Sequence, residues 1–246
     1  MDQKYQELVE RNLGYIDKET QNKISRTRLL IAGCGIGSTI AEAAVRMGFR
    51  HFTLVDGDTV SQNNLNRQSY RFDQVGKKKA QALAENLKAI NPDASVEIVC
   101  EYLNLENVKK LVGRSDYIFD TIDFLDLTAI LALHDEALKQ EKPLITAVAC
   151  GWGAAAVYVP GQSRHQSWIR DIFHIPNPIP DNMSYVETFS HFFFNCFRAS
   201  SDNRKGNEPG FACDGRWNSL SSATSVCRCP RCCIFSNDND CSDYCR

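Results

Sequence analysis

Gly33-Cys-Gly-Ile-Gly-Ser38 places three glycines within six residues, directly after the apolar run Leu29-Leu-Ile-Ala32. Glycines at Gly33, Gly35 and Gly37 let a nucleotide approach the backbone. A helix starting at Ser38 then offers free N–H groups and a positive dipole to a phosphate. Asp56 ends the next apolar run, Phe52-Thr-Leu-Val55, where a carboxylate can accept hydrogen bonds from ribose hydroxyls. A lone glycine motif is often only a tight turn; strand, turn, helix and acid in order point to nucleotide binding.

The segment after Asp56 separates the possible nucleotides. Gly57-Asp-Thr-Val-Ser-Gln-Asn-Asn-Leu-Asn-Arg-Gln68 is polar where a dehydrogenase would proceed to its next helix. It brings Asn64 and Arg67 toward the ribose end of the sheet, and Lys79 arrives near the start of the following helix. Arg67 and Lys79 together suit a triphosphate, which carries more charge than a dinucleotide pyrophosphate. Lys77 and Lys78 read as solvated surface charges. Asp120 and Asp123 close the run Tyr117-Ile-Phe119, and carboxylates at the C-terminal end of a parallel strand face the ligand crevice. A hard oxygen ligand there suits Mg²⁺, which takes few carboxylates together with phosphate oxygens. Asp123 serves equally well as the N-cap of a helix beginning near Leu125, and both roles stay open.

The elements that must hold these residues alternate as βαβ units, the signature of a Rossmann-like α/β fold with helices on both faces of a mostly parallel sheet. Strands are expected at 29–32, 52–55, 96–99, 117–119, 144–148 and 154–159. Helices are expected at 38–47, 76–90, 105–112 and 125–139. Asp17 caps a leading helix through Ile24, packed beside the first strand or over the nucleotide pocket. The run from Pro143 to Pro160 is weakly polar but broken by Gly151 and Gly153, so two buried strands joined by a turn are expected in place of a membrane span. Residues 1–160 read as the nucleotide-binding domain. Residues 161–199, with alternating Pro176, Pro178 and Pro180, read as an extension on the partner or substrate side. Residues 200–246 read as an irregular tail, either disordered or shifted out of frame somewhere after His191.

The 246 residues are 43% hydrophobic and 24% charged, enough for a packed core. The formal net charge of −2 gives no electrostatic case for nucleic acid or an anionic membrane as the main partner. The polar start, MDQKYQELVE, lacks the apolar region of a secretory signal, so a cytoplasmic protein is expected. Of eleven cysteines, Cys34, Cys100 and Cys150 are scattered and read as small core residues. Six more crowd the last twenty residues. Cys229-Pro-Arg-Cys232 and Cys241-Ser-Asp-Tyr-Cys245 have a spacing zinc could use, but a segment with so little to pack around a metal argues against it. Cys150, Cys196 and Cys213 sit in no nucleophile motif. His51, His134, His165, His174 and His191 show no ligand or triad spacing and are assigned no role.

The sequence resembles the ThiF/MoeB/HesA family, whose adenylation domain is shared with ubiquitin-activating enzymes. The resemblance is carried by Arg11-Asn-Leu-Gly14, the glycine turn, Leu54-Val-Asp-Gly-Asp58, Asn64-Leu-Asn-Arg-Gln68, Val75-Gly-Lys-Lys-Lys79 and Asp120-Thr-Ile-Asp123, in family order over residues 8–160. It implies ATP-dependent adenylation of a carboxylate, above all the C-terminus of a ubiquitin-like or sulfur-carrier protein. In that reading Asp56 holds the ribose, Asp58 belongs to the nucleotide site, and Asn64, Arg67 and Lys79 contact the phosphates. Asp123 binds Mg²⁺ as the essential acid. Arg11 contacts phosphate, in many relatives across a homodimer interface.

Three departures stand out. The glycine turn is one residue shorter than G-x-G-G-x-G, Phe124 stands where relatives often have Asn, and no CxxC pair comes directly after the strand ending at Val159, where many relatives begin a structural zinc site. An NAD-dependent oxidoreductase would explain the glycine turn and Asp56 but leave Arg67, Lys79 and Asp123 unused. An adenylation fold retained as a non-catalytic scaffold is the other alternative.

Overall fold

The run Leu29-Leu-Ile-Ala32 is apolar at every position, as a strand must be when helices cover both its faces. In the computed structural model, which describes residues 3–150, 153–161, 225–226 and 233–236, that strand is central. In chain order the elements are α1 (Gln3–Val9), α2 (Lys18–Arg26), β1 (Arg28–Ala32), α3 (Gly37–Arg46), β2 (His51–Val55), α4 (Lys79–Ile90) and β3 (Ser95–Val99). There follow α5 (Val108–Gly113), β4 (Tyr117–Asp120), α6 (Leu127–Lys139), β5 (Leu144–Cys150) and β6 (Gly153–Val159). Two short strands from the cysteine-rich tail, β7 (Ser225–Val226) and β8 (Cys233–Ser236), complete the described elements.

The strands form one sheet in the order β3-β2-β1-β4-β5-β6-β8-β7. β1 to β5 run parallel; β6 is antiparallel to β5, and β8 antiparallel to β6. The expected Rossmann-like α/β fold is therefore observed. The chain steps outward from β1 to β2 and β3, then returns to lay β4 on the other side of β1. That reversal opens a crevice at the C-terminal ends of β1 and β4, where such sheets bind ligands. Register places Val55, Ala32, Asp120 and Thr146 side by side along that edge.

Side chains alternate between the two faces of each strand. Leu29 and Ile31 pack with Phe52, Leu54, Ala41, Val45 and Leu83, beneath α3 and α4. Leu30 and Ala32 pack with Ile118, Val112 and Leu133, beneath α5 and α6. Ala41 and Ala44 are the small residues that let α3 lie close to the sheet. Filling a core position of the Leu30 kind stabilises the fold by about 1.5–3 kcal/mol.

Several boundaries differ from expectation for local reasons. α4 begins at Lys79, three residues late, because Gly76 takes φ +90 and Lys78 is still extended. α6 begins at Leu127, and its N-cap is Asp126, whose side chain accepts from Ala129 N. Asp123 is therefore not the cap of that helix. α5 is confined to Val108–Gly113, since Asn104 folds the preceding residues into a turn on Glu106 and Asn107. Asp17 does cap α2, accepting from Thr20 N at 2.6 Å.

α2 does not cover the pocket. Gln21, fully buried, donates to Tyr5 Oη and to Met47 O at the C-terminal end of α3, the end remote from the glycine turn. The segment 143–160 is the expected pair of strands, and among the described residues no helix is long and apolar enough to cross a membrane. The tail strands β7 and β8 are not expected from periodicity; they pair with each other, and β8 pairs with β6 at Tyr158↔Cys233 and Val157↔Ile234. The rest of the tail, the proline-rich stretch and the other tail cysteines lie outside the described residues.

Candidate functional site

The glycine turn is seated on the loop that follows β4. Gly33 has φ +89, and a Cβ there would lie 2.4 Å from Thr121 O, so only glycine fits. Thr121 N donates to Ala32 O at 2.9 Å and Thr121 Oγ1 donates to Gly33 O at 2.6 Å. Gly37 is crowded from the same direction, with Thr121 Oγ1 2.4 Å from where a Cβ would stand. At Gly35 the neighbour is Gln68, whose amide nitrogen would be 3.3 Å from a Cβ. Among the described residues, the N–H groups of Gly35, Ile36 and Gly37 find no acceptor, while Ser38 N and Thr39 N turn back to Gly35 O and Ile36 O. Three unsatisfied N–H groups at the start of α3 make a concave donor surface for an anion.

Asp56 fastens this turn to the end of β2. Its Oδ2 accepts from Cys34 N at 2.7 Å and its Oδ1 from Asp58 N at 2.8 Å. Burial raises its carboxyl above the usual range, opposed by those two N–H groups and by Lys79. Cys34, fully buried beside it, is a core thiol as expected; burial pushes it well above the ordinary thiol range. Tyr70 closes the turn from behind, donating to Cys34 O at 2.6 Å, with Lys79 O 3.3 Å away.

Lys79 is buried at 7% exposure, and its ammonium lies 2.8 Å from Asp58 Oδ2. Tyr102 Oη donates to the other oxygen of Asp58 at 2.5 Å, and its ring rests on Gly57, where a Cβ would be 2.7 Å away. The hydrogen bonds from Lys79 and then Tyr102 hold the Asp58 carboxyl below the ordinary range. Of the flanking lysines, Lys77 pairs with Glu85 on the surface, as expected of a solvated charge. Lys78 instead donates to Gly57 O at 2.6 Å and ties the 57–60 segment to the start of α4.

Asn64 is buried in the short turn 62–64, where its Oδ1 accepts from Ser61 N at 3.0 Å. Arg67 is exposed; its guanidinium donates to Asn63 O and Asn66 Oδ1, both at 3.0 Å, and meets no carboxylate among the described residues. Ser69 N donates to Ser38 Oγ, which holds this loop against the first turn of α3. Asp123 lies on the loop after β4, with Oδ1 accepting from Leu125 N at 3.2 Å. Arg11 is not brought to the crevice within the chain. It lies on the turn 10–12, which Asn12 anchors to Met47 O at the far end of α3.

Sequence reasoning missed two contributors, His134 and Tyr102, and the depth at which Asp120 lies. Asp120 is 2% exposed and meets His134 and Thr146, a contact that no ligand or triad spacing of the histidines announced. The signal for His134 was its place on the buried face of α6, one turn after Ile130 and beside Leu133. Tyr102, the partner of Asp58, lies in a turn without periodicity.

The crowding at Gly33 predicts that Gly33→Ala lowers stability by about 2–4 kcal/mol, by strain and by unseating the turn. Gly76→Ala, also at positive φ but with nothing within 4 Å, should cost only about 1 kcal/mol. Urea unfolding midpoints of the two variants measure the difference. The Asp58 contacts predict a pH effect. Its folded pKa lies below its unfolded one, so its stabilisation is present above the ordinary carboxylate value of 3.8 and is lost as pH falls through the folded value. In a carboxyl-carbon NMR titration the Asp58 midpoint should rise in Tyr102→Phe and rise further in Lys79→Met.

Comparison with known proteins places this geometry in a family. Over 120 residues the chain is 37% identical to the tRNA threonylcarbamoyladenosine dehydratase of Escherichia coli (strain K12), covering 48% of this chain and 44% of that protein. Over 148 residues it is 32% identical to the sulfur carrier protein ThiS adenylyltransferase of Bacillus subtilis (strain 168), covering 58% and 44%. The crystal structure of the E. coli dehydratase TcdA in complex with AMP superposes with a TM-score of 0.60 at 27% identity, covering 63% of this chain and 65% of that one. The matched stretch thus spans less than half the length of these curated relatives. The match to the ThiF family runs over residues 9–227, most of the sequence, and with the glycine turn, the acids and the lysine now in place the chain belongs to the ThiF family.

Proposed function

We propose that this chain binds Mg·ATP in the crevice between β1 and β4 and adenylates a carboxylate, that of the C-terminus of a ubiquitin-like or sulfur-carrier protein. The observation that carries this reading is the row of three N–H groups at Gly35, Ile36 and Gly37 that meet no acceptor among the described residues, with the buried Lys79 near the same turn. In the reaction a carboxylate oxygen attacks the α-phosphorus of ATP, the bond to the bridging oxygen breaks, and pyrophosphate leaves with the electron pair. No protein nucleophile is required; the demands are charge neutralisation and in-line placement.

Each residue then has a task that its surroundings support. The three N–H groups hold a phosphate oxygen. Each oxygen of Asp56 accepts one hydrogen bond from the fold, which leaves capacity for the ribose hydroxyls. Lys79 and Arg67 supply positive charge, Lys79 by leaving Asp58 for the phosphates. Asn64 keeps the loop before Arg67 in shape and offers its amide nitrogen to a phosphate. Asp123, with only Oδ1 committed to an internal bond, fits a magnesium that takes one carboxylate and several phosphate oxygens. Among the described residues no cluster of three or more metal-ligating side chains exists, in keeping with a metal that arrives with its nucleotide. Bound there, magnesium would offset the charge of the phosphate oxygens. Arg11, remote within one chain, serves a second copy in a homodimer.

A tRNA-borne carboxylate is the second reading, favoured by the likeness to a dehydratase named for tRNA threonylcarbamoyladenosine. Pyrophosphate exchange with a carrier-protein C-terminal peptide, and separately with total tRNA, separates the two.

Calorimetry of the purified chain with Mg·ATP, Mg·AMP and NAD⁺ tests the nucleotide site. Mg·ATP is expected to bind and NAD⁺ not; binding of NAD⁺ alone would overturn the reading in favour of an oxidoreductase. Lys79→Met and Asp123→Asn should each weaken Mg·ATP about 10–100-fold, the loss of one charge-assisted contact. Arg67→Ala should weaken ATP more than AMP, and equal losses would remove Arg67 from the terminal phosphates.

A further inference from the structure

Asp120 ends β4 and Asp123 follows three residues later on the loop, and the two have different surroundings. Asp123 reaches solvent, whereas Asp120, the last residue of β4, is 2% exposed and has both oxygens engaged. Asp120 Oδ2 lies 2.8 Å from His134 Nε2 and 3.1 Å from Thr146 Oγ1, and these two groups are 3.1 Å from each other. Its Oδ1 accepts from Ile122 N at 3.2 Å. Thr146 reaches Asp120 because the two are register partners on β5 and β4, and His134 comes down from α6 on the same face of the sheet as Ile118. With Asp120 as acceptor, His134 carries its proton on Nε2, an assignment that follows from the network.

Burying a carboxylate this deeply is costly, and an apolar residue would serve the core better if packing were the only task. What an apolar residue would lack is the grip on Ile122 N, the amide one residue before Asp123. Thr121, between Asp120 and Ile122, is fixed separately to Ala32 O and Gly33 O. The loop is thus held at two successive residues, one bond reaching the glycine turn and the other the buried cluster.

We infer that His134 and Thr146 are positioning residues: by orienting the Asp120 carboxylate they fix the Ile122 amide and with it the place of Asp123 in the crevice. The role of Asp123 toward magnesium rests on the function proposed above, whereas the hold on the loop does not. A histidine and a threonine suit the task because both donate to one oxygen of Asp120 and leave the other for the backbone.

The test uses the full chain with His134→Leu, His134→Gln and Thr146→Val, read by amide hydrogen exchange and by ATP calorimetry with Mg²⁺ and with EDTA. In His134→Leu, exchange at Ile122 and its neighbours through Leu125 should quicken about tenfold, while Ile31 and Leu54 in the core keep their protection. The gain in ATP affinity that Mg²⁺ gives should shrink toward that of Asp123→Asn, with ATP affinity in EDTA unchanged. His134→Gln, whose amide nitrogen reaches the place of Nε2, should restore both. Thr146→Val, nearly the same in shape, should move both in the same direction by less and serves if His134→Leu does not fold. Unchanged exchange at Ile122 in the substituted chains would overturn the inference, as would faster exchange with the magnesium effect intact. If Asp123→Asn binds Mg·ATP as the unsubstituted chain does, the proposed metal role falls, and the exchange result alone decides the hold on the loop.

Discussion

The contact on which the rest of the site depends is that of the Gly33 backbone against the Thr121 carbonyl. Two loops that leave adjacent strands, β1 and β4, cross at a distance that admits no side chain. Every other feature of the crevice is referred to that crossing. The first turn of α3 takes its direction from Gly33, Asp56 binds the same turn from β2, and Asp123 sits two residues beyond Thr121. A Cβ at Gly33 would part the loops, and the row of free N–H groups and the acid at Asp123 would no longer share one crevice.

The polar groups around the crevice divide by what they have left to offer. Asp120, Tyr70 and Thr121 are committed to internal bonds and act as fasteners. The N–H groups of the glycine turn, the guanidinium of Arg67 and one oxygen of Asp123 lack strong partners among the described residues. In the proposed function these uncommitted groups are the ones that meet the nucleotide, while the fasteners hold them in place. Gln68 also holds an uncommitted group: its amide nitrogen faces Gly35, and its Oε1 is buried with no hydrogen-bond partner among the described residues.

How much of this was legible in the sequence depends on which interactions are local. Strands β1 to β6 and the helices between them come from runs of apolar residues and their periods, which need only neighbouring residues to be read. The glycine turn and Asp56 were legible because a strand, a turn and an acid succeed one another in fixed order. His134 was not, since it lies 14 residues from Asp120 and meets it only once α6 has packed on the sheet. The cap of α6 is Asp126 and not Asp123, because the loop geometry imposed by Thr121 and Asp120 delays the first helical turn to Leu127. β8 was illegible for a different reason: its hydrogen bonds come from the edge of β6, and edge pairing asks little of a side-chain pattern.

Lys79 shows how such a site holds a charge ready. An ammonium at 7% exposure needs a counter-charge, and Asp58 provides it, itself steadied by Tyr102. The pair is unequal, since Asp58 is about half exposed and Lys79 is not. Water can therefore solvate Asp58 when the lysine moves, but would not solvate Lys79 in its place. Under the proposed function, transfer of the ammonium from Asp58 to a phosphate would exchange one anion for a more highly charged one, and the carboxylate left behind is already at the solvent boundary with a hydroxyl donor in place. The asymmetry of exposure thus lowers the cost of release from Asp58 while keeping Lys79 oriented before a ligand arrives, which is the preorganisation that electrostatic stabilisation requires.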